Sequence, residues 1–389
     1  MKTRALSILF LWPILMQAQT QVPAKYPAGE FRYPMDLAPA VAGSFGDFRP
    51  NHFHSGLDFR TNQREGYPVY AVADAYVSRL RVQIGGFGQA IYLDHPNGYT
   101  SVYAHLKAYS PEIAAAVKKI QYEKESFEVD SVLIRQAIKV KKGDLIGWSG
   151  NTGSSGGPHL HFEIRDTQTE EIINPQLFGF SIPDKVKPEI QGIYLYKIKG
   201  QPFGEQTAKQ YFPVKKISGN YQLVNNSPIV LNGESGFGIV AFDRYAVQAA
   251  AHGLYQISLS LDGETIYTST WERFSFDHTK AVNAHLDYNA LKSSGLSIQK
   301  SFVEPGNPLG LYTAVNQGLI RLSDGEIHQL TYTLSDVAGN TSTLNFSVKG
   351  SPAQLVSSVS NKQAFTYDAD NHYDEEQIKI CIPKGSLYS

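Results

Sequence analysis

Cysteine is almost missing from this chain. The single Cys381 excludes an intramolecular disulfide framework, and no cysteine follows the apolar N-terminal run to accept a lipid anchor. A charge surplus is missing as well: 35 basic against 36 acidic side chains leave no broad positive field for nucleic acid. After the N-terminus no apolar stretch is long enough to cross a bilayer, so no transmembrane anchor is expected. The helical zinc motif His-Glu-x-x-His is absent. The glycine-rich stretch Gly150 to Gly157 lacks the Gly-Lys-Ser/Thr ending of a phosphate loop.

What is present begins with Lys2 and Arg4, an apolar run from Ala5 to Met16 interrupted by Pro13, and then Gln17-Ala-Gln19. A positive start, a short apolar core and a small residue at the cut site read as a secretory signal peptide over residues 1–18. The expected product is exported to the periplasm or cell envelope, or released outside the cell.

The remainder is rich in tyrosine and phenylalanine and punctuated by glycine and proline, which suits many short strands joined by tight turns. Strands are expected at Pro68–Val72, Ala75–Leu80, Ala90–Asp94 and Tyr99–His105. The last two are joined by His95-Pro-Asn-Gly98, with Asn97-Gly98 supplying positive backbone dihedrals. Ser110 and Pro111 then start a helix carrying Ile113, Val117 and Ile120 on one stripe. It is expected to be a solvated surface helix, the alternative being a wall inserted beside an active site. Two prolines near Ile182–Pro188 mark a linker, followed by alternating strands that suggest a β-sandwich. Three parts follow: residues 19–184, an accessory sandwich at 185–350, and at 351–389 the start of a further, cut-off β module. The aromatics of the C-terminal region are expected in its core, the alternative being stacking surfaces for a glycan or protein.

Six of eleven histidines fall between His52 and His161. Two segments stand out, His54-Ser-Gly-Leu-Asp58 and His159-Leu-His161. On an extended strand His54, Gly56 and Asp58 share one face; so do His159, His161 and Glu163, with Leu160, Phe162 and Ile164 toward a core. Imidazole and carboxylate on rigid strands, with one open position, form the ligand set of a catalytic zinc site. Spacing alone does not decide whether His159 or His161 binds the metal. Glu163 is expected to be solvent-exposed, the alternative being support for the site from behind the ligands. His52 is expected to be solvated, and His252, His278, His285, His328 and His372 are expected to be surface or packing residues.

His54-x-Gly-x-Asp58, Tyr103-Ala-His-Leu106 and Gly150-Asn-Thr-Gly-Ser-Ser-Gly-Gly-Pro-His-Leu-His-Phe-Glu-Ile164 resemble the motifs of lysostaphin/LytM-type zinc endopeptidases, which cut peptide bonds in bacterial peptidoglycan. Gly66–Val72 and Val140–Gly147 also fit, and the similarity spans about residues 40–170. It implies an all-β catalytic domain with the active site in a groove. Together with the helix and the later strands read above, the expected fold is mostly β: an antiparallel β-sheet catalytic domain with a helical insertion, ahead of an immunoglobulin-like β-sandwich. The resemblance also implies one zinc ion per chain on His54, Asp58 and His161, with His105 and His159 as the catalytic pair. The implied substrate is the peptide of peptidoglycan, with direct D-alanyl cross-links favoured over glycine bridges. An envelope protein or glycan is a further partner expected of the C-terminal region. The alternative function is a non-catalytic envelope regulator or wall-binding protein that activates another hydrolase.

Two segments keep open roles. The stretch from Gly150 to Gly157 is either a flexible turn into the His159 strand or a groove rim. The stretch between His105 and Val140 is longer than the family's usual connector, so it is a candidate to narrow or cover the groove.

Overall fold

A computed structural model describes residues 26–198, 203–204, 207–351, 365–375 and 378–387 of the chain; the expected signal peptide lies outside them. Strand outweighs helix, 42% against 11%, so the mostly β expectation holds. Among the described residues no helix is long and apolar enough to cross a membrane.

The first sheet runs in the order Val41–Gly43, Leu57–Arg60, His159–Asp166, Tyr99–Ala104, Gln89–Asp94, Ala75–Val82, Val129–Val132, each pair antiparallel. Its alternation is strict where it matters. Leu160, Phe162 and Ile164 are fully buried in the core with Leu57, Phe59 and Tyr103, leaving His159, His161 and Glu163 on the opposite face. Full burial of each such side chain is worth about 1.5–3 kcal/mol. A one-residue slip would carry these three apolar groups to the polar face and the histidines into the core. The apolar face therefore holds the histidines in register.

Local signals account for the connections. The 95–98 hairpin forms as expected, although only Gly98 takes a positive φ, at 86°. The helix spans Pro111–Lys124 behind Ser110, and its Ile113 and Val117 pack into the same core as Leu57 and Phe162. It thus lies on the face away from the histidines. The following strand, Val129–Val132, pairs with the outer edge of Ala75–Val82. Val129–Val132 is thus the fourth strand from His159–Asp166, about 19 Å away. The connector between His105 and Val140 therefore extends the sheet and its core, and does not cover the histidines.

Beyond the linker, two halves of one hydrogen-bonded sheet share a second core. Ile193 and Leu195 of Glu189–Lys197 and Phe237 and Ile239 of Ser235–Phe242 meet Leu259, Leu330, Tyr332 and Leu344 of the other half. The halves join through the long strand Lys209–Ile217, which pairs with Glu189–Lys197 and then with Asn220–Leu223. Tyr196, Tyr267, Tyr332, Phe237 and Trp271 are all buried, as the core reading of these aromatics requires. Asn371–Glu375 and Ile378–Ile382 form a hairpin.

The two parts are not merely tethered. Arg273–Phe274 from the C-terminal region pairs with Ile172–Ile173 and so extends the first sheet. A third core at this seam joins Phe45, Phe53 and Ile172 to Trp271, Phe274, Leu286 and Leu311. Trp271 meets Phe53 nearly edge-on, with centroids 4.5 Å apart.

Candidate metal centre

Asp58 and His161 are direct cross-strand partners, so sheet register alone brings them together. His54 arrives differently. The strand begins at Leu57, and His54 to Gly56 form an irregular turn before it. The expected shared strand face of His54 and Asp58 is thus a turn-and-strand arrangement. The turn needs glycine: a Cβ on Gly56 would stand 2.2 Å from the Phe162 carbonyl oxygen. His54 is fixed by its Nδ1, which donates to the Ser44 carbonyl at 2.7 Å. That leaves Nε2 facing Asp58 Oδ1 at 3.0 Å and His161 Nδ1 at 3.2 Å, while His161 Nδ1 lies 2.9 Å from Asp58 Oδ1. The edges of a tetrahedral zinc site with ligands near 2.0 Å measure about 3.3 Å. Two imidazoles and one carboxylate at this spacing can hold such an ion.

His161 uses its other nitrogen as well. Its Nε2 lies 2.9 Å from Glu163 Oε1, and Glu163 Oε2 accepts from Arg165 Nε at 2.8 Å. Glu163 is fully buried, not solvent-exposed as expected from the sequence, because its strand face is roofed rather than open. Arg165 lies beneath the Phe276 ring, 4.8 Å from its centroid, and Phe276 belongs to the C-terminal region. Burial pushes the Glu163 carboxyl up, but Arg165 and His161 outweigh it and hold it at about 2. Burial pushes His161 down, and its bonds to Asp58 and Glu163 overcome this, leaving it at about 9 without a metal. Asp58 behaves like Glu163: three histidines outweigh burial and keep it ionised, as an anionic ligand must be.

His105 and His159 flank this trio with ring centroids 4.8 Å apart. His105 directly follows the Tyr99–Ala104 strand and takes a left-handed φ of 59°, unusual outside glycine. Its Nδ1 meets the Thr152 carbonyl oxygen at 2.8 Å. Burial, with His161 and His159 nearby, lowers its pKa to about 4, so the ring is neutral at pH 7. His159 has an acceptor at each nitrogen: Gly157 O at 2.8 Å from Nδ1 and Asp58 Oδ1 at 3.3 Å from Nε2.

Both histidines are thus oriented by the glycine-rich stretch, which is itself held in place by hydrogen bonds. Ser154 N donates to Gly86 O at 2.8 Å, and Thr152 Oγ1 accepts from Gln89 N at 2.9 Å. The floor beside the trio is Phe87, Ala90, Tyr92, Val102 and Ala104. Farther along the same face a 530 Å³ cleft is lined by Arg79, Tyr92, Thr100, Arg165, Glu170 and Val132, the last being the connector's contribution. His52 is exposed with Nδ1 on Pro50 O, in keeping with simple solvation.

Sequence reasoning missed Ser44, Thr152, Arg165 and the C-terminal contacts. Only Arg165 carried a signal, since it continues the alternation of His159, His161 and Glu163. Thr279 Oγ1 accepts from Phe53 N at 2.9 Å, one residue before His54, so the C-terminal region buttresses the turn that presents this histidine.

Residues 52–122 and 118–175 match the model of Peptidase family M23. An uncharacterized metalloprotease of Haemophilus influenzae is 35% identical over 145 residues, covering 35% of this chain and 25% of that protein. The peptidoglycan DD-endopeptidase ShyA of Vibrio cholerae is 30% identical over 139 residues, covering 34% of this chain and 26% of that protein. The chain thus spans about a quarter of the length of these curated relatives. The catalytic domain of lysostaphin from Staphylococcus simulans, 26% identical, covers 37% of this chain and 93% of its own, with a TM-score of 0.26. The region that carries the His54, Asp58 and His161 cluster is a domain of peptidase family M23, the family to which the sequence motifs pointed.

Proposed function

We propose that this protein is an exported, zinc-dependent endopeptidase that hydrolyses the peptide cross-links of bacterial peptidoglycan. Residues 19–184 form its catalytic domain and 185–350 an accessory β-sandwich of immunoglobulin type. His54, Asp58 and His161 would hold one zinc ion. The observation that carries this reading is their convergence to about 3 Å spacing with His105 and His159 alongside. The relatives named as endopeptidase and metalloprotease support it.

Zinc in this position supplies Lewis acidity and lowers the pKa of water. The two histidines divide the proton work. His105, neutral and with Nδ1–H directed at Thr152 O, keeps the Nε2 lone pair free to orient the attacking water and take its proton. His159, its Nδ1–H held by Gly157 O, presents Nε2 to the same space and, when protonated there, would donate to the oxyanion of the tetrahedral intermediate.

The test is digestion of purified walls of several cross-bridge chemistries by the full zinc-loaded chain, with released fragments identified by mass spectrometry. Cut stem peptides are expected. His54→Ala should lose both zinc and cleavage, whereas His159→Ala should keep zinc and lose about 10²–10⁴ in rate. Zinc-loaded protein that releases nothing from any wall would overturn the proposal.

A further inference from the structure

The linker and two loops of the C-terminal region bring three carboxylates together. Asp184 lies in the linker, Asp243 follows the Ser235–Phe242 strand, and Asp336 follows Ile327–Ser335. One oxygen of each lies within 4.8 Å of the others. None of the three has a Lys, Arg or His ion-pair partner among the described residues. Proximity of acids alone would mean little.

The second observation is an orphaned group. Asp243 is 2% exposed, its carboxylate is aimed at the other two, and its Oδ1 has no hydrogen-bond donor. Asp184 Oδ2 is likewise buried without a donor. A buried acceptor left unsatisfied costs about 1–3 kcal/mol, and more when charged. Burial and the facing Asp184 and Asp336 push Asp243 up to about 7. Three of the four remaining oxygens are held in place: Asp184 Oδ1 accepts from Val186 N, and Asp336 Oδ1 and Oδ2 accept from Asn340 N and Nδ2.

We propose that Asp184, Asp243 and Asp336 form a calcium site at the seam between the two parts of the chain, separate from the zinc centre. The donor set is entirely oxygen, which selects a hard cation over zinc. Calcium tolerates an irregular shell of carboxylates, carbonyls and waters, whereas magnesium demands near-ideal octahedral geometry and dehydrates reluctantly, so an irregular all-protein carboxylate cluster favours calcium. The surrounding space is also walled by Ser44, Asn174, Gln176 and Tyr245, whose polar groups stand close to the three carboxylates.

The site is coupled to the zinc centre through short links. Asp243 and His252 exchange backbone hydrogen bonds, His252 Nδ1 lies 3.0 Å from Asp47 Oδ2, and Asp47 Oδ2 accepts from Ser44 N. Ser44 O in turn holds His54. Calcium at the seam therefore stiffens the segment that orients a zinc ligand.

The experiment is calorimetric titration of the full chain, freed of calcium and loaded with one equivalent of zinc, using calcium chloride and separately magnesium chloride. One calcium per chain is expected, with a rise in Tm of about 2–4 °C at saturation. Asp243→Asn should abolish both and raise the Tm of the calcium-free protein, because it removes repulsion. Asp184→Asn, in the linker, should weaken calcium binding at least tenfold. Wild-type protein showing neither heat nor a Tm shift with calcium overturns the site, as does a shift that persists in both variants. Tighter binding of magnesium overturns the assignment to calcium.

Discussion

Glu163 Oε1 lies 2.9 Å from Nε2 of His161, and the opposite nitrogen of the same ring faces Asp58. One imidazole is thereby clamped from both sides. A carboxylate behind a metal-bound imidazole fixes ring and tautomer, and its loss costs about 10–100-fold in metal affinity. Glu163→Gln keeps an acceptor for Nε2 and should sit at the mild end of that range, by competition with a chromophoric chelator. Glu163→Ala also strands the buried Arg165 guanidinium and should cost about 3–5 kcal/mol in urea melts. Unchanged zinc affinity in both variants would remove the clamp from the account.

His285 provides a pH test away from the metal centre. It is fully enclosed between Tyr312 and Gln299 at the seam, and burial lowers its pKa to about 4. The unfolded chain protonates this residue near 6.5, so between 6.5 and 4 the unfolded state binds the extra proton. Stability from this residue is therefore full above about pH 6.5 and falls as pH drops, by about 1.4 kcal/mol per unit. The stability difference between wild type and His285→Gln should shrink from pH 6.5 to 4 and stay flat above. A difference independent of pH would contradict the shift.

Gly153→Ala should disturb the glycine-rich stretch. Its φ is 75°, and a Cβ there would lie 2.3 Å from Gly88 N and 2.4 Å from Gly86 O. Both neighbours are backbone, so the loop itself must move, at a cost of about 1–3 kcal/mol. Thr152 O then loses its grip on His105, and kcat falls while zinc stoichiometry stays at one. Gly156→Ala, with nothing within 4 Å, is the control and should change neither.

Trp271→Ala tests the seam. The indole is 2% exposed and packs on Phe53, Phe48 and Phe274. Truncation should cost about 3–5 kcal/mol by urea denaturation. Because Phe53 precedes His54, zinc affinity should fall as well. A loss below about 1 kcal/mol would mean that the two parts are stabilised independently.

Much of this protein was legible in its residues because the signals are local. Alternation from His159 to Ile164 follows from strand geometry, and the turn closing at Gly98, with φ of 86°, follows from which residues tolerate positive φ. Ser110-Pro111 marked the helix for similar reasons. The trio His54, Asp58 and His161 was accessible through its motifs. What stayed hidden depends on contacts between distant segments. His54 is placed by a turn and the Ser44 carbonyl, Glu163 is buried because Phe276 and Arg165 roof it, and His105 is oriented by Thr152. Asp184, Asp243 and Asp336 share no pattern of spacing and meet only after the sheets have packed. Local sterics and periodicity determine which residues form strands and which face they present. Register between strands, and the docking of one core on another, decide which of those faces meet and what they enclose.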